Sequence, residues 1–63
     1  MKTHTKYEVR AVDDDAIVYA AFPQPLQALR YWHERGEKDA LVRVVRVYDE
    51  EGGKFRHEER LIN

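Results

Sequence analysis

The stretch LVRVVRVY, residues 41–48, decides the fold of this 63-residue chain. Its β-branched residues favour a strand. Side chains alternate across a strand, so each face carries three apolar or aromatic side chains and one arginine, Arg43 on one face and Arg46 on the other. A strand with one wet side shows one apolar and one polar face. This strand needs cover on both sides, which a short chain can hardly supply, and the pattern therefore predicts a partner.

The residues before this strand predict a hairpin. Residues 6–12 alternate between apolar and charged side chains, which indicates a strand with one wet face. Three aspartates follow at 13–15, and Asp favours turns because it binds its own backbone there. Residues 16–22 are apolar throughout. They form either a second strand, paired with the first, or an extended approach to the next element.

A helix is predicted over residues 24–35. Proline is tolerated in a first helical turn, as at Pro25, and Gly36 suits the left-handed position that ends a helix. At about 100° per residue the apolar side chains share one arc, which we expect to lie on the sheet. That arc contains Leu26, Leu29, Trp32 and His33, with Ala28 at its edge.

The last strand is predicted over residues 54–62, after an acidic, glycine-containing turn at 49–53. Its many charges suit an exposed edge that must not pair with other chains. The element order is therefore ββαββ, or βαββ if residues 16–22 are not a strand. Either order predicts an α+β fold: a mostly antiparallel, three- to four-stranded sheet with one helix on one face.

Size and composition limit the classes of protein. A chain of 63 residues forms one domain at most, residues 1–63, and buries a small core. Cysteine is absent, which suits a reducing cytoplasm. No apolar run is long enough for a membrane span, and no secretory signal follows the first residues. The net charge of −1 gives no basic excess, so a nucleic-acid partner is not the leading expectation.

No catalytic or metal-binding pattern is evident. The three histidines, at 4, 33 and 57, lack the spacing of a metal site, and the aspartates at 13–15 lack the spacing of a calcium loop. Serine and cysteine are both missing, so the usual nucleophiles are absent. We therefore expect no enzyme, no cofactor and no metal.

Residue types typical of protein interfaces do occur. Arginine, tyrosine and tryptophan dominate the binding energy of such surfaces, and acidic turns can meet a basic partner. The alternative for the arginines is that they lie over apolar surface of the chain itself. The candidate partner-binding residues are Arg43, Arg46, Tyr48, Tyr31, Arg35, Asp13, Asp14 and Asp15.

The layout resembles that of small phage-encoded host inhibitors. Three runs carry the likeness: residues 17–21 (IVYAA), 25–32 (PLQALRYW) and 42–47 (VRVVRV). They are most similar to a phage inhibitor of bacterial RNA polymerase, and some anti-CRISPR proteins share the helix-on-sheet plan. The resemblance implies a stoichiometric inhibitor in the bacterial cytoplasm, with Arg43 and Arg46 as contacts.

The leading expectation is thus a non-enzymatic protein that binds and blocks a host protein or complex. Two alternatives stay open. One is a homodimer whose subunits cover each other by sheet stacking or edge pairing. The other is a sheet that binds single-stranded nucleic acid by tyrosine and arginine stacking.

Overall fold

The computed structural model of the protein describes residues 2–63 as one sheet and one helix. The elements are β1 (Lys2–Ala11), β2 (Asp14–Phe22), α1 (Pro25–Glu34), β3 (Ala40–Tyr48) and β4 (Lys54–Ile62). All neighbouring strands are antiparallel, in the order β2-β1-β3-β4. The α+β expectation is confirmed in its ββαββ form, and residues 16–22 belong to a true strand.

Strand β1 is longer than the sequence predicted. It begins at Lys2 rather than at Lys6, and its first residues pair with the end of β3, Lys2 opposite Tyr48. The prediction failed because residues 2–6 carry no apolar side chain that would mark a strand. Pairing with β3 supplies the backbone hydrogen bonds that hold this polar segment extended.

Strand β2 does not extend along the whole length of the sheet. Phe22, the last residue of β2, lies opposite Tyr7, so residues 2–6 of β1 have β3 on one side and no strand on the other. We call this three-stranded part the distal half of the sheet: residues 2–6, 44–48 and 54–58. The rest, with β2, is the proximal half. The resulting molecule is long and thin, about 43 × 22 × 15 Å.

Helix α1 covers the proximal half. It packs on Tyr7, Val9 and Leu41, which share one face of the sheet because Val9 lies directly opposite Leu41. At its C-terminal end, the indole N–H of Trp32 donates to the carbonyl oxygen of Asp39 at 2.7 Å. We call the side of the sheet that carries the helix the helix side, and the other side the open face.

Only part of the predicted arc meets the sheet: Ala28 and Trp32 pack on the core. Ala28 is fully buried, whereas Leu26 is 75% exposed and Leu29 is 40% exposed. Two aromatic side chains explain this rotation of the helix: Tyr31 contacts the ring of Phe22, and Trp32 is held by its hydrogen bond to Asp39. The small Ala28 then lies closest to the sheet, and the rest of the predicted arc, Leu26, Leu29 and His33, faces solvent.

Because of this rotation, we expect one helix substitution to destabilise the protein and another to have almost no effect on its stability. Ala28→Leu inserts three carbon atoms into the closest helix–sheet contact and should lower the free energy of unfolding by about 1–3 kcal/mol. Leu26→Ala removes an exposed side chain and should change it by less than about 0.5 kcal/mol. Urea unfolding followed by circular dichroism measures both. A larger loss for Leu26→Ala than for Ala28→Leu would contradict the observed packing.

Candidate binding surface

The open face of the sheet is covered by an ion-pair network centred on Arg10. The Arg10 Nε donates to Glu8 Oε1 at 2.8 Å, and its two Nη atoms donate to the Glu58 carboxylate at 3.0 Å each. Arg10 lies on β1 and Glu58 on β4, with β3 between them. Neighbouring strands lie about 4.8 Å apart, so the guanidinium reaches across β3.

This network covers the open-face valines of β3. Val44 is fully buried and Val42 is nearly so, although no helix lies on this face. Lys6 approaches Glu8 at 3.0 Å and Arg56 approaches Glu58 at 2.7 Å, which extends the cover. The sequence argument that β3 needs a partner on this face is therefore wrong at Val42 and Val44, because charged side chains of the chain itself shield them. We call these five charged residues the ion-pair cover: Lys6, Glu8, Arg10, Arg56 and Glu58.

The charges of the cover shift one another's pKa values. The hydrogen bonds from Arg10 lower the pKa of Glu58 to about 2, against an opposing effect of burial. Burial acts to raise the pKa of Glu8, but hydrogen bonds from Arg10 and Lys6 outweigh it, and that pKa is lowered. The pKa of Arg10 is raised by its hydrogen bond to Glu58. All three groups stay charged at neutral pH.

A cationic patch occupies the distal half of the open face. Residues directly opposite each other share a face, and the registers place Lys2, Tyr48 and Lys54 in one row and His4, Arg46 and Arg56 in the next. Lys6 begins the third row, beside Val44. We call these residues the cationic patch: Lys2, His4, Lys6, Arg46, Tyr48, Lys54 and Arg56.

Three cations of the patch have no carboxylate. Lys6 and Arg56 bind Glu8 and Glu58 of the cover, but Lys2, Arg46 and Lys54 make no ion pair with any residue from 2 to 63. The ring of His4 meets that of Tyr48 edge to face, with 5.6 Å between the centroids. This contact orients the aromatic ring in the middle of the patch.

A groove runs beside the patch at the step where β2 ends. Its volume is about 520 Å³. Its walls include His4 and Lys6 on β1, Phe22 at the end of β2 with Pro23 after it, and Arg46 and Tyr48 on β3. The lining thus combines apolar surface with cationic side chains.

The predicted partner-binding residues fall in four places. Arg46 and Tyr48 lie together in the cationic patch. Arg43 lies on the helix side and pairs with Glu59. Tyr31 and Arg35 lie at the helix.

Tyr31 and Arg35 contact other residues of the chain itself. The guanidinium of Arg35 stacks on Tyr19 at 4.0 Å and lies 5.8 Å from Tyr31, while its Nε donates to Asp39 at 2.6 Å. These contacts fix the end of the helix to β2 and to the start of β3.

Of the three aspartates predicted as a turn at 13–15, only Asp13 lies in the turn between β1 and β2, while Asp14 and Asp15 begin β2. Asp14 accepts a hydrogen bond from the backbone N–H of Ala16 at 3.0 Å, and Asp15 binds Arg60, while Asp13 is exposed at the turn. This turn and the acidic turn at 49–51 lie at opposite ends of the sheet, as the ββαββ order predicts. The two acidic turns therefore form no common surface.

Sequence reasoning missed most of the patch. Lys2, His4 and Lys6 recur at every second position, as do Lys54 and Arg56. This period of two is the signal that would have placed each set on one face of a strand. Lys2 and His4 precede the strand predicted over residues 6–12, so the sequence analysis assigned them to no face.

Other kinds of site find no support. Among residues 2–63 no group of three histidine, cysteine or carboxylate side chains is placed to hold a metal ion. Within the same residues the single helix is too short and too polar to cross a bilayer. The comparisons with known proteins found no matching family model, no matching curated protein and no matching solved structure.

The lowered pKa values predict acid sensitivity. Folding favours ionised Glu8 and Glu58, so their contribution to stability is present above the unfolded-state pKa of about 4.3 and is lost as the pH falls toward about 2. Glu58→Gln should lower the free energy of unfolding at pH 7 by about 1 kcal/mol and flatten its decline below pH 4. Thermal unfolding across this pH range measures the effect.

Glu51→Gln, in the exposed turn, is the matched control for this experiment. It removes one carboxylate from a position outside the ion-pair cover, so its pH profile should follow that of the parent protein. An unchanged profile for Glu58→Gln would mean that the contact between Arg10 and the Glu58 carboxylate contributes nothing to folding.

Proposed function

We propose that this protein is a small binding module that docks on an acidic surface of a partner protein and blocks it. The observation that carries the proposal is the cationic patch: Lys2, Arg46 and Lys54 lie on an uncovered part of the sheet and form no ion pair with any residue from 2 to 63. Like charges held together without counter-charges weaken a fold through mutual repulsion. A cluster of this kind is better explained by an acidic partner that neutralises it.

The residue types of the patch support a contact of this kind. Arginine and tyrosine are enriched among residues that dominate binding energy, and Arg46 lies beside Tyr48. The guanidinium can bind a carboxylate through two parallel hydrogen bonds. The unpaired cations also speed association with an acidic surface.

A protein partner fits the patch better than a nucleic acid. The acidic turn, Asp49, Glu50 and Glu51, follows Tyr48 directly and borders the patch at its distal end. A continuous run of phosphates would meet this turn, whereas a local acidic site on a protein would not. The net charge of −1 also gives a long polyanion no general attraction.

From the resemblance to phage inhibitors, we further propose that the protein acts as a stoichiometric inhibitor. A small stoichiometric inhibitor acts by occupying a surface, for which a rigid sheet face is suited. We extend the proposal to the cytoplasm of a bacterial host, where the lack of cysteine has no cost.

Charge reversal in the patch tests the proposal. Arg46→Glu should weaken binding of the partner at least tenfold, because it removes a central cation and adds a repulsive charge. Arg30→Glu is the matched control: it makes the same charge change on the exposed surface of α1. Affinity capture from bacterial lysate, quantified by mass spectrometry, compares the two variants with the parent protein.

Only a protein that the Arg30→Glu variant retains and the Arg46→Glu variant loses supports the proposal. Equal recovery by both variants contradicts it. Loss of the captured material after nuclease treatment also contradicts it and favours the nucleic-acid alternative.

Self-association is a second candidate function, favoured by the outer edge of β2. Residues 16–22 carry no charge, and Ile17, Val18 and Tyr19 are each more than 40% exposed. The opposite edge, β4, is lined with charged residues that discourage pairing. A second copy of the chain is the proposed occupant, since two uncharged β2 edges can approach without repulsion.

Two lysine substitutions test this dimer. Val18→Lys places a charge on the β2 edge and should convert a dimer to a monomer, while Phe55→Lys, at a side chain that is 65% exposed on β4, should not. Sedimentation velocity at micromolar concentration gives the mass of each variant. A parent protein of 7.5 kDa in solution would contradict self-association.

A further inference from the structure

The distal half of β1 is an unpaired strand edge beside the cationic patch. Residues 2–6 pair with β3 on one side, and β2 ends at Phe22 before it can pair with them on the other. The turn at Pro23 leads the chain into the helix and away from this edge. A strand with one free side offers backbone donors and acceptors to another polypeptide.

The hydrogen bonds of the β3–β4 turn identify the free backbone groups. The N–H of Asp49 donates to the carbonyl of Gly53 at 2.8 Å, and its carbonyl accepts from the N–H of Gly52 at 3.0 Å, so both backbone groups of Asp49 point to the β4 side. The direction of these groups alternates along an antiparallel ladder, so odd-numbered residues of β3 bond to β4 and even-numbered ones bond to β1.

The same alternation continues into β1. Even-numbered residues 2, 4 and 6 of β1 lie opposite even-numbered residues of β3 and bond to them. The N–H and C=O groups of Thr3 and Thr5 therefore point away from β3, toward the side where β2 is missing. This edge offers two donors and two acceptors to an added strand.

The side chains of β1 specify which strand would fit. An added strand places its side chains alternately on the two faces. Those on the open face would lie beside Lys2, His4 and Lys6, where carboxylates are favoured. Those on the helix side would lie beside Thr3 and Thr5, where β-branched residues pack well.

A second copy of β1 does not fit this edge. Two antiparallel β1 strands would bring Lys2 and Lys6 of one copy against the same lysines of the other, and like charges directly across a ladder are destabilising. A nucleic acid can neutralise the cations but cannot complete the ladder in the way a polypeptide does. The free edge and the charge together favour an acidic polypeptide.

We infer that the partner contributes an extended segment, alternating acidic and β-branched residues, which pairs with the backbone of Thr3 and Thr5 as a fifth strand. This inference rests on the proposed function and names the chemistry of its partner. The carboxylates of the segment lie on the cationic patch, and the groove of about 520 Å³ beside Phe22 and Pro23 receives one end of it.

The experiment uses a defined peptide, acetyl-Glu-Val-Glu-Val-Glu-Val-amide, and two control peptides. The first control has the same composition in the order Glu-Glu-Glu-Val-Val-Val, and the second replaces each Glu by Lys. Titrations followed by NMR should show at least tenfold tighter binding of the alternating acidic peptide than of either control. Amide hydrogen exchange at Thr3 and Thr5 should slow at least tenfold in its complex.

Two variants at one position separate the backbone from the side chain. Thr5→Pro removes the outward N–H without touching the bonds to β3, and should abolish the preference for the alternating peptide. Thr5→Val keeps the N–H and the shape of the side chain, and should bind as the parent does. Circular dichroism reports whether each variant is folded, and the exchange measurement on the parent protein does not depend on either variant.

The outcomes distinguish this inference from the proposed function. Peptide binding that requires Arg46 but leaves exchange at Thr3 and Thr5 unchanged overturns strand addition and leaves the patch as a docking surface. No binding of the alternating peptide overturns strand addition as well, while the capture experiment judges the patch separately. A single-stranded oligonucleotide that binds more tightly than the peptide overturns both.

Discussion

The Arg10 guanidinium, bonded to Glu8 beside it and to Glu58 two strands away, is the contact on which the rest of the structure depends. A single helix can cover only one face of a sheet, and here it covers half of one. Arg10 and its partners shield Val42 and Val44 on the other face. A buried arginine is tolerated only when its charge and its hydrogen bonds are satisfied, as both carboxylates ensure here.

The same contact explains why the cationic patch exists. Glu8 and Glu58 lie on the open face next to Lys6 and Arg56 of the patch, and both are engaged by Arg10. Lys6 and Arg56 share what remains of these carboxylates, and Arg46, one row further out, has none. The interaction that stabilises the open face thus leaves an excess of positive charge beside it. Stability and the proposed binding function arise from one arrangement of charges.

The sequence predicted what depends on local pattern. Alternation, turn residues and Pro25 were enough for the α+β class and for the helix bounds to within about a residue, but they left the element order open between ββαββ and βαββ. It did not predict the rotation of the helix, because that depends on where Tyr31 and Trp32 find partners on other elements. Nor did it predict the cover over β3, since Arg10 and Glu58 are 48 residues apart and meet only through the strand order. For the patch, it placed Arg46 and Tyr48 on one face but did not bring the lysines to them.

One short segment links the helix to the free edge. Pairing of β2 with β1 ends at Phe22, because Gln24, the residue that would next bond to Thr5, is already the N-cap of α1. Pro25 then begins α1, and the chain turns onto the helix side of the sheet. The residues that start the helix are therefore also those that stop β2 and leave Thr3 and Thr5 unpaired. A longer β2 would close this edge, but the chain would then need another way to reach the helix over Val9 and Leu41, so the open edge follows from how this small fold builds its core.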